Sequence, residues 1–162
     1  MNTLIGNSAH GKNRAYNLVK NNNFVDSVQS INNHFSDSGL FGLTIEGAGS
    51  HSADLLNVGI EELSRLKDRI SDEELARAKN VLKMNILLGM ENQGDRLEEI
   101  AKNFLTYGDL TFHKYVEQIE AVTSQDINRA ASRALSTKPT MLVTGGAINL
   151  VPTITDVQRQ LQ

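Results

Sequence analysis

The chain has 162 residues, with no cysteine, no tryptophan and only two prolines. The absence of cysteine excludes disulfides, thiolate metal sites and a cysteine nucleophile together. No excess of basic charge is present either. The net charge is −3 and the pI about 5.8, so the chain lacks the positive field with which a nucleic-acid binder engages phosphates. No apolar run approaches the roughly 18 residues of a membrane span, which leaves contact with a membrane to partners. A secretory hydrophobic segment is missing from the N-terminus. The basic opening, with Lys12, Arg14 and Lys20 before the first acid Asp26, reads as an ordinary surface helix rather than a presequence.

Catalytic motifs are equally scarce. No G-x-S-x-G occurs, and none of His10, His34, His51 and His113 begins an H-E-x-x-H or H-x-x-E-H motif. His113 and Glu117 stand four apart, which is half a zinc site at best and reads as a solvated helical pair. Gly6 to Lys12 has the spacing of a phosphate-binding loop. Asn13, however, occupies the position where magnesium needs Ser or Thr. The acids Glu73, Glu74, Glu91, Asp95, Glu98 and Glu99 read as a solvated face, with Glu73/Arg77 and Asp95/Glu99 at helical spacing.

What is present is an ordinary globular composition, 40% hydrophobic and 22% charged, on a length that fits one domain. Residues 1–11 read as a loop, and Asn13 to Asn21 as a short helix. Residues 24–35 read as a strand whose alternation is poor. Ser36-Asp37-Ser38-Gly39 supplies turn chemistry, with Gly39 able to take positive φ. Residues 40–46 alternate well, with Phe41, Leu43 and Ile45 on one face. A helix capped by Ser50 or Ser52 follows, with Leu55, Leu56, Ile60, Leu63 and Leu66 as its stripe. Ser71-Asp72-Glu73-Glu74 is a capping box that opens a helix to about Glu91, with Leu75, Ala78, Leu82, Ile86 and Met90 on its core face and Gly94 breaking it. Helices are expected over 95–107, with Leu97, Ile100, Ala101, Phe104 and Leu105 inward, and over 112–119. Thr123 to Asp126 forms a second capping box before a helix with Ile127, Ala130, Ala131 and Leu135 on its apolar side. Thr140 to Thr144 reads as a strand and Thr153 to Leu161 as a closing helix. The order strand, strand, helices, strand, helix is an α+β pattern. A sheet that small leaves edges unpaired.

Four segments in order resemble the C-terminal domain of the M16 metallopeptidase family. Gly11-Lys12-Asn13-Arg14-Ala15-Tyr16 resembles the family's G-K-x-x-S-R-L-Y. Ile31 to Gly42, with Asn32, Phe35, Asp37 and Gly39-Leu40-Phe41-Gly42, resembles its F-N-x-x-Y-x-D-T-G-L-F-G hairpin. Glu73 to Asn80 resembles E-L-x-R-A-K-x, and Val122 to Ile127 resembles V-T-x-x-D-V, with Lys138-Pro139-Thr140 following. The resemblance implies an α+β M16-type domain over residues 1–162, with residues 1–11 a loop remnant and 12–162 the core. It implies a small antiparallel sheet packed with several helices and completed by another chain, because the family domain begins with strands that would precede Met1.

The likeness is nearest to the family's α-type, non-catalytic members. It implies a structural or assembly subunit of a mitochondrial complex, the core of respiratory complex III, on the matrix side of the inner membrane. The alternative it implies is the substrate-binding half of a heteromeric processing peptidase, with zinc supplied by a partner chain. Partners would then be other M16-like subunits, one of them supplying the N-terminal half, and complex III subunits. No catalytic residue, metal ligand or cofactor is implied. Arg14 and Tyr16 are implied as substrate contacts. Gly6, Asn7, Ser8 and Gly11 are implied as the remnant of a glycine-rich substrate loop. A helical interaction domain outside this family predicts, by contrast, no pairing between residues 31–35 and 40–45.

Overall fold

In the computed structural model the chain is described at residues 1–35, 37–68, 70–108 and 112–161. The side chains of Asp95, Glu99, Lys102, Asn103, Thr106, Tyr107, Phe112 and His113 lie outside that description. The expected contacts of Asp95 with Glu99 and of His113 with Glu117 therefore fall outside the described residues.

Two strands form an antiparallel hairpin, β1 (Val25–His34) and β2 (Gly39–Gly47), with Ile31 opposite Gly42 and Asn33 opposite Leu40. This pairing excludes the unrelated helical domain. The irregular alternation of β1 has a structural cause. A bulge between Val25 and Ser27 shifts the register, so Val25 and Val28, three apart, both reach the core. Gly39 does not use its freedom at positive φ. Its bare Cα instead admits the close approach of Asn33 O, which a Cβ would meet at 3.2 Å.

Eight helices surround the hairpin among the described residues: α1 (Asn2–Ile5), α2 (Arg14–Asn21), α3 (Ser52–Ser64), α4 (Asp72–Gly89), α5 (Gln93–Tyr107), α6 (Phe112–Ala121), α7 (Ser124–Leu135) and α8 (Ile154–Leu161). The core is built in three patches. Ile5, Leu18, Val25, Val28, Leu66 and Ala131 join α1, α2, β1 and α7. Leu4, Ile70, Ala78 and Ile127 join α1, α4 and α7. Ile60, Leu135, Val157 and Leu161 tie α3 and α7 to α8. Burial of side chains of this size is worth roughly 1.5–3 kcal/mol each.

Several expectations are corrected. Residues 1–11 are not simply a loop, since Leu4 and Ile5 wind into α1 and are buried. The helix α3 is preceded by a 3-10 turn over Gly49–His51, and no side chain caps it; the Ser52 hydroxyl donates to Ala147 O at 3.1 Å. The first capping box is half formed. Ser71 Oγ accepts from Glu74 N, but the Glu74 carboxylate turns to Arg14. The break after α4 falls before Gly94, because Asn92 Oδ1 accepts Gly94 N at 2.9 Å and starts α5. On α4 only Ala78 is buried. Leu97, Ile100, Phe104 and Leu105 on α5 are exposed, Leu105 at 82%, and Ala101 is exposed beside them. No described element packs extensively on α5. Ala130 on α7 is likewise exposed.

The third expected strand is absent. Among the described residues Thr140 to Thr144 has no strand partner, and Leu142 is 88% exposed, because no described strand lies alongside to give its backbone a ladder. The sheet has two strands, with one isolated bridge from Asn7 to Gln29. No described helix is long and apolar enough to cross a membrane.

Candidate functional site

The first turn of α2 carries the polar centre of the molecule. Asn13 is its cap: Oδ1 accepts Tyr16 N at 2.8 Å. The same side chain gathers the preceding segment, with Nδ2 donating to Asn7 O at 2.9 Å and His10 O at 2.8 Å. Gly6 and Gly11 take positive φ there, and a Cβ on Gly6 would collide with the Asn13 amide. The segment is also stitched to β1. Ser8 N donates to Val28 O at 2.9 Å, Val28 N to Ser8 Oγ at 3.0 Å and Ser30 N to Gly6 O at 3.0 Å. Gly6, Asn7 and Ser8 therefore lie against the sheet, and Gly11 sits in the exposed turn that follows. Asn13 serves as helix cap and clasp where a phosphate loop would need a metal ligand.

One residue further on, Arg14 points inward to two carboxylates. Its Nε and Nη2 donate to the two oxygens of Glu74 at 2.6 and 3.1 Å, a bidentate pair. Nη1 lies 3.4 Å from Glu62 on α3. Arg65 approaches the other Glu62 oxygen at 3.7 Å and also binds Glu61 at 2.5 Å. Among the described residues Glu62 is the buried charged residue of the core. Burial raises its carboxyl above the ordinary range, opposed by the nearby Arg14 and Arg65. The Arg14 guanidinium is held more firmly protonated, chiefly by its hydrogen bonds to Glu74. An open depression of about 390 Å³ lies over this cluster, lined by Arg14, Asn17, Glu62, Arg65, Asp68 and Glu74.

The geometry separates the two residues implied as substrate contacts. Arg14 is engaged on both sides, whereas Tyr16, two positions along the same helix, is exposed. Of the acids read as a solvated face, Glu74 departs from that reading and is a structural ligand of Arg14. Sequence reasoning missed Glu62. The signal was an acid within the apolar stripe Ile60, Leu63 and Leu66, where burial requires a cation partner. Among the described residues no group of histidines and acids is placed to hold a metal. His51 stacks on Phe24 and lies 2.9 Å from Asp54.

These features define a class: an α+β domain fastened by a buried ionic centre. The model of the Peptidase M16 inactive domain matches residues 1–82, and the chain belongs to the M16 peptidase family. It is 34% identical to mitochondrial-processing peptidase subunit alpha-2 of Dictyostelium discoideum, over 100% of this chain and 38% of that protein. It is 31% identical to mitochondrial-processing peptidase subunit beta of Mus musculus, over 93% of this chain and 32% of that protein. A chain of complex III2 from Candida albicans, Inz-5 bound, shares the fold with a TM-score of 0.80 at 20% identity, over 99% of this chain and 40% of that one. The chain thus spans about a third to two-fifths of the length of these relatives.

Proposed function

We infer that this chain is a non-catalytic M16-type subunit that contributes structure to a mitochondrial complex, the core of respiratory complex III, on the matrix side of the inner membrane. The observation that carries the reading is the uncovered apolar face of α4 and α5. Met84, Leu87, Leu88, Leu97, Ile100 and Phe104 are exposed together on consecutive helices, with Leu97 at 70% and Phe104 at 65%. Apolar side chains left exposed at helical spacing on α4 and on α5 favour an interface. The closed state of Arg14 also favours structure over substrate handling, since a guanidinium held by two carboxylates has little left to offer a peptide.

A second reading draws support from the names of the relatives. Here the chain is the substrate-binding, α-type half of a heteromeric processing peptidase, with zinc on a partner. Tyr16 and the turn at residues 6–11 would then line the chamber, and the acids would attract basic presequences.

Affinity purification of the tagged chain in mild detergent, followed by mass spectrometry, separates the two. Recovery with cytochrome b, cytochrome c1 and the Rieske protein is expected. Recovery with only a soluble H-x-x-E-H chain transfers the assignment to the peptidase. A stable monomer recovered alone overturns both.

A further inference from the structure

The helices α4 and α5 follow each other through Met90 to Asn92 alone. Helices joined so briefly ordinarily pack antiparallel as a hairpin. Among the described residues these two make no extensive contact with each other. Each therefore shows water an apolar stripe, and the two stripes have the same spacing. On α4 it is Val81, Met84 and Leu88, and on α5 it is Leu97, Ile100 and Phe104, all exposed. Positions i, i+3 and i+7 share one helix face. Laid antiparallel, the stripes match end to end, Val81 facing Phe104, Met84 facing Ile100 and Leu88 facing Leu97.

The charge beside the stripes differs in sign. Between Leu75 and Met90 the chain carries Arg77, Lys79 and Lys83 and no acid, whereas residues 91–102 carry Glu91, Asp95, Glu98 and Glu99 against Arg96 and Lys102. Lys79 donates to the Glu120 carbonyl of α6 at 2.7 Å, and Lys83 pairs with the Glu120 carboxylate. One acid thus stands against two lysines, and Arg77 is exposed beyond them. Such a surface repels its own copy and attracts the α5 surface.

We propose that this face is a self-association surface, on which α5 of each copy of the chain lies antiparallel along α4 of a second copy. One two-fold axis sets α4 against α5 and α5 against α4 together, so both stripes of both copies are covered in a closed interface. A single helix from an unrelated partner covers one stripe and leaves the other in water. Exchange between identical chains also costs little, because the contact formed is the one that so short a connection would specify within a chain. The inference rests on the assembly reading above and names the occupant of the face that carries it.

The test uses the full chain, alone and in its purified assembly. The chain has no cysteine, so Met84→Cys and Ile100→Cys each introduce a single thiol. The two variants are mixed and treated with a short thiol-specific cross-linker. A covalent dimer that forms in the mixture and far less in either variant alone is expected. Light scattering should give twice 17.8 kDa, and Phe104→Glu should weaken self-association about tenfold or more with an unchanged urea midpoint. A chain that stays monomeric overturns the proposal. So does a dimer that Met84→Cys alone cross-links as well as the mixture, because α4 then lies on α4. Cross-linking within single copies of the doubly substituted chain means that the hairpin closes on itself, and overturns it too. An assembly recovered with its companions but without the mixed cross-link overturns the proposal and leaves the assembly reading standing. The mixed cross-link in a chain recovered without companions supports the proposal and removes that reading.

Discussion

Arg14 joins three helices through one side chain, and its environment explains why it cannot be exchanged freely. The guanidinium and the Glu74 carboxylate are both largely shielded from water, at 16% and 17% side-chain exposure. Removing either leaves the other charge poorly paired, which costs about 2–4 kcal/mol. Glu74→Ala and Arg14→Ala are therefore expected to destabilise the chain by that amount singly, and the double variant by much less than the sum. Urea denaturation in a double-mutant cycle measures this, and additive losses would disprove the pairing. Glu62 gives a pH dependence of defined sign. Its folded-state carboxyl is raised by burial above the ordinary 4.5. The folded chain then holds that proton more tightly than the unfolded chain. The resulting stabilisation is complete below the unfolded value and is lost as pH rises through the raised one. Relative to Glu62→Gln, the native chain should weaken as pH climbs from the ordinary glutamate value toward neutrality. A pH-independent difference in urea midpoints would refute that assignment.

Helix starts follow local chemistry closely. The Thr123/Asp126 capping box forms as its sequence indicates: Thr123 Oγ1 accepts Asp126 N at 3.3 Å, and Asp126 Oδ2 accepts Thr123 N at 2.9 Å. The pattern recurs at α8. Thr153 Oγ1 accepts Asp156 N at 3.4 Å, and the Asp156 carboxylate accepts Thr153 N at 3.2 Å. Arg129 and Arg159 each stand three residues beyond the aspartate as its ionic partner. Thr-x-x-Asp-x-x-Arg is thus a start signal used twice, and the second use was legible in the sequence at Thr153, Asp156 and Arg159. Thr123→Ala is expected to cost about 1 kcal/mol, read from the thermal midpoint. The hydrogen bonds from Thr123 and Thr153 hold both aspartates below the ordinary carboxylate range. Their contribution is present above the unfolded value and is lost as pH falls through the lowered one, opposite in sign to Glu62.

The whole molecule divides into a settled part and an unsettled one. Around α1, α2, β1, α3, α7 and α8 the core is closed, and Leu66 is fully buried. Leu66→Ala should cost roughly 2–5 kcal/mol. Around α5 and the outer edge of β2 apolar surface faces water. On the proposed assembly role, Leu105→Glu should change stability by no more than about 0.5 kcal/mol while abolishing recovery of companion subunits. Urea denaturation of both variants beside their affinity purification reads out the contrast. A large loss of stability in Leu105→Glu would mean that α5 packs within the chain itself.

Local pattern was enough for both hairpin strands, the two threonine-capped helix starts, the stripe of α7 apart from Ala130, and the family likeness, because each depends on neighbours a few residues away. Packing decided the rest. Leu4 and Ile5 form a helix because α4 and β1 are there to bury them. Glu74 leaves its own cap because Arg14 lies within reach, and Glu62 can enter the core for the same reason. Thr140 to Thr144 and α5 have the sequence of core elements, yet of the segment only Met141 packs against a core patch, and Leu142 and the apolar side of α5 stay exposed. A strand needs a second backbone and an apolar stripe needs an opposing surface, and neither is specified by the pattern of the segment that requires it.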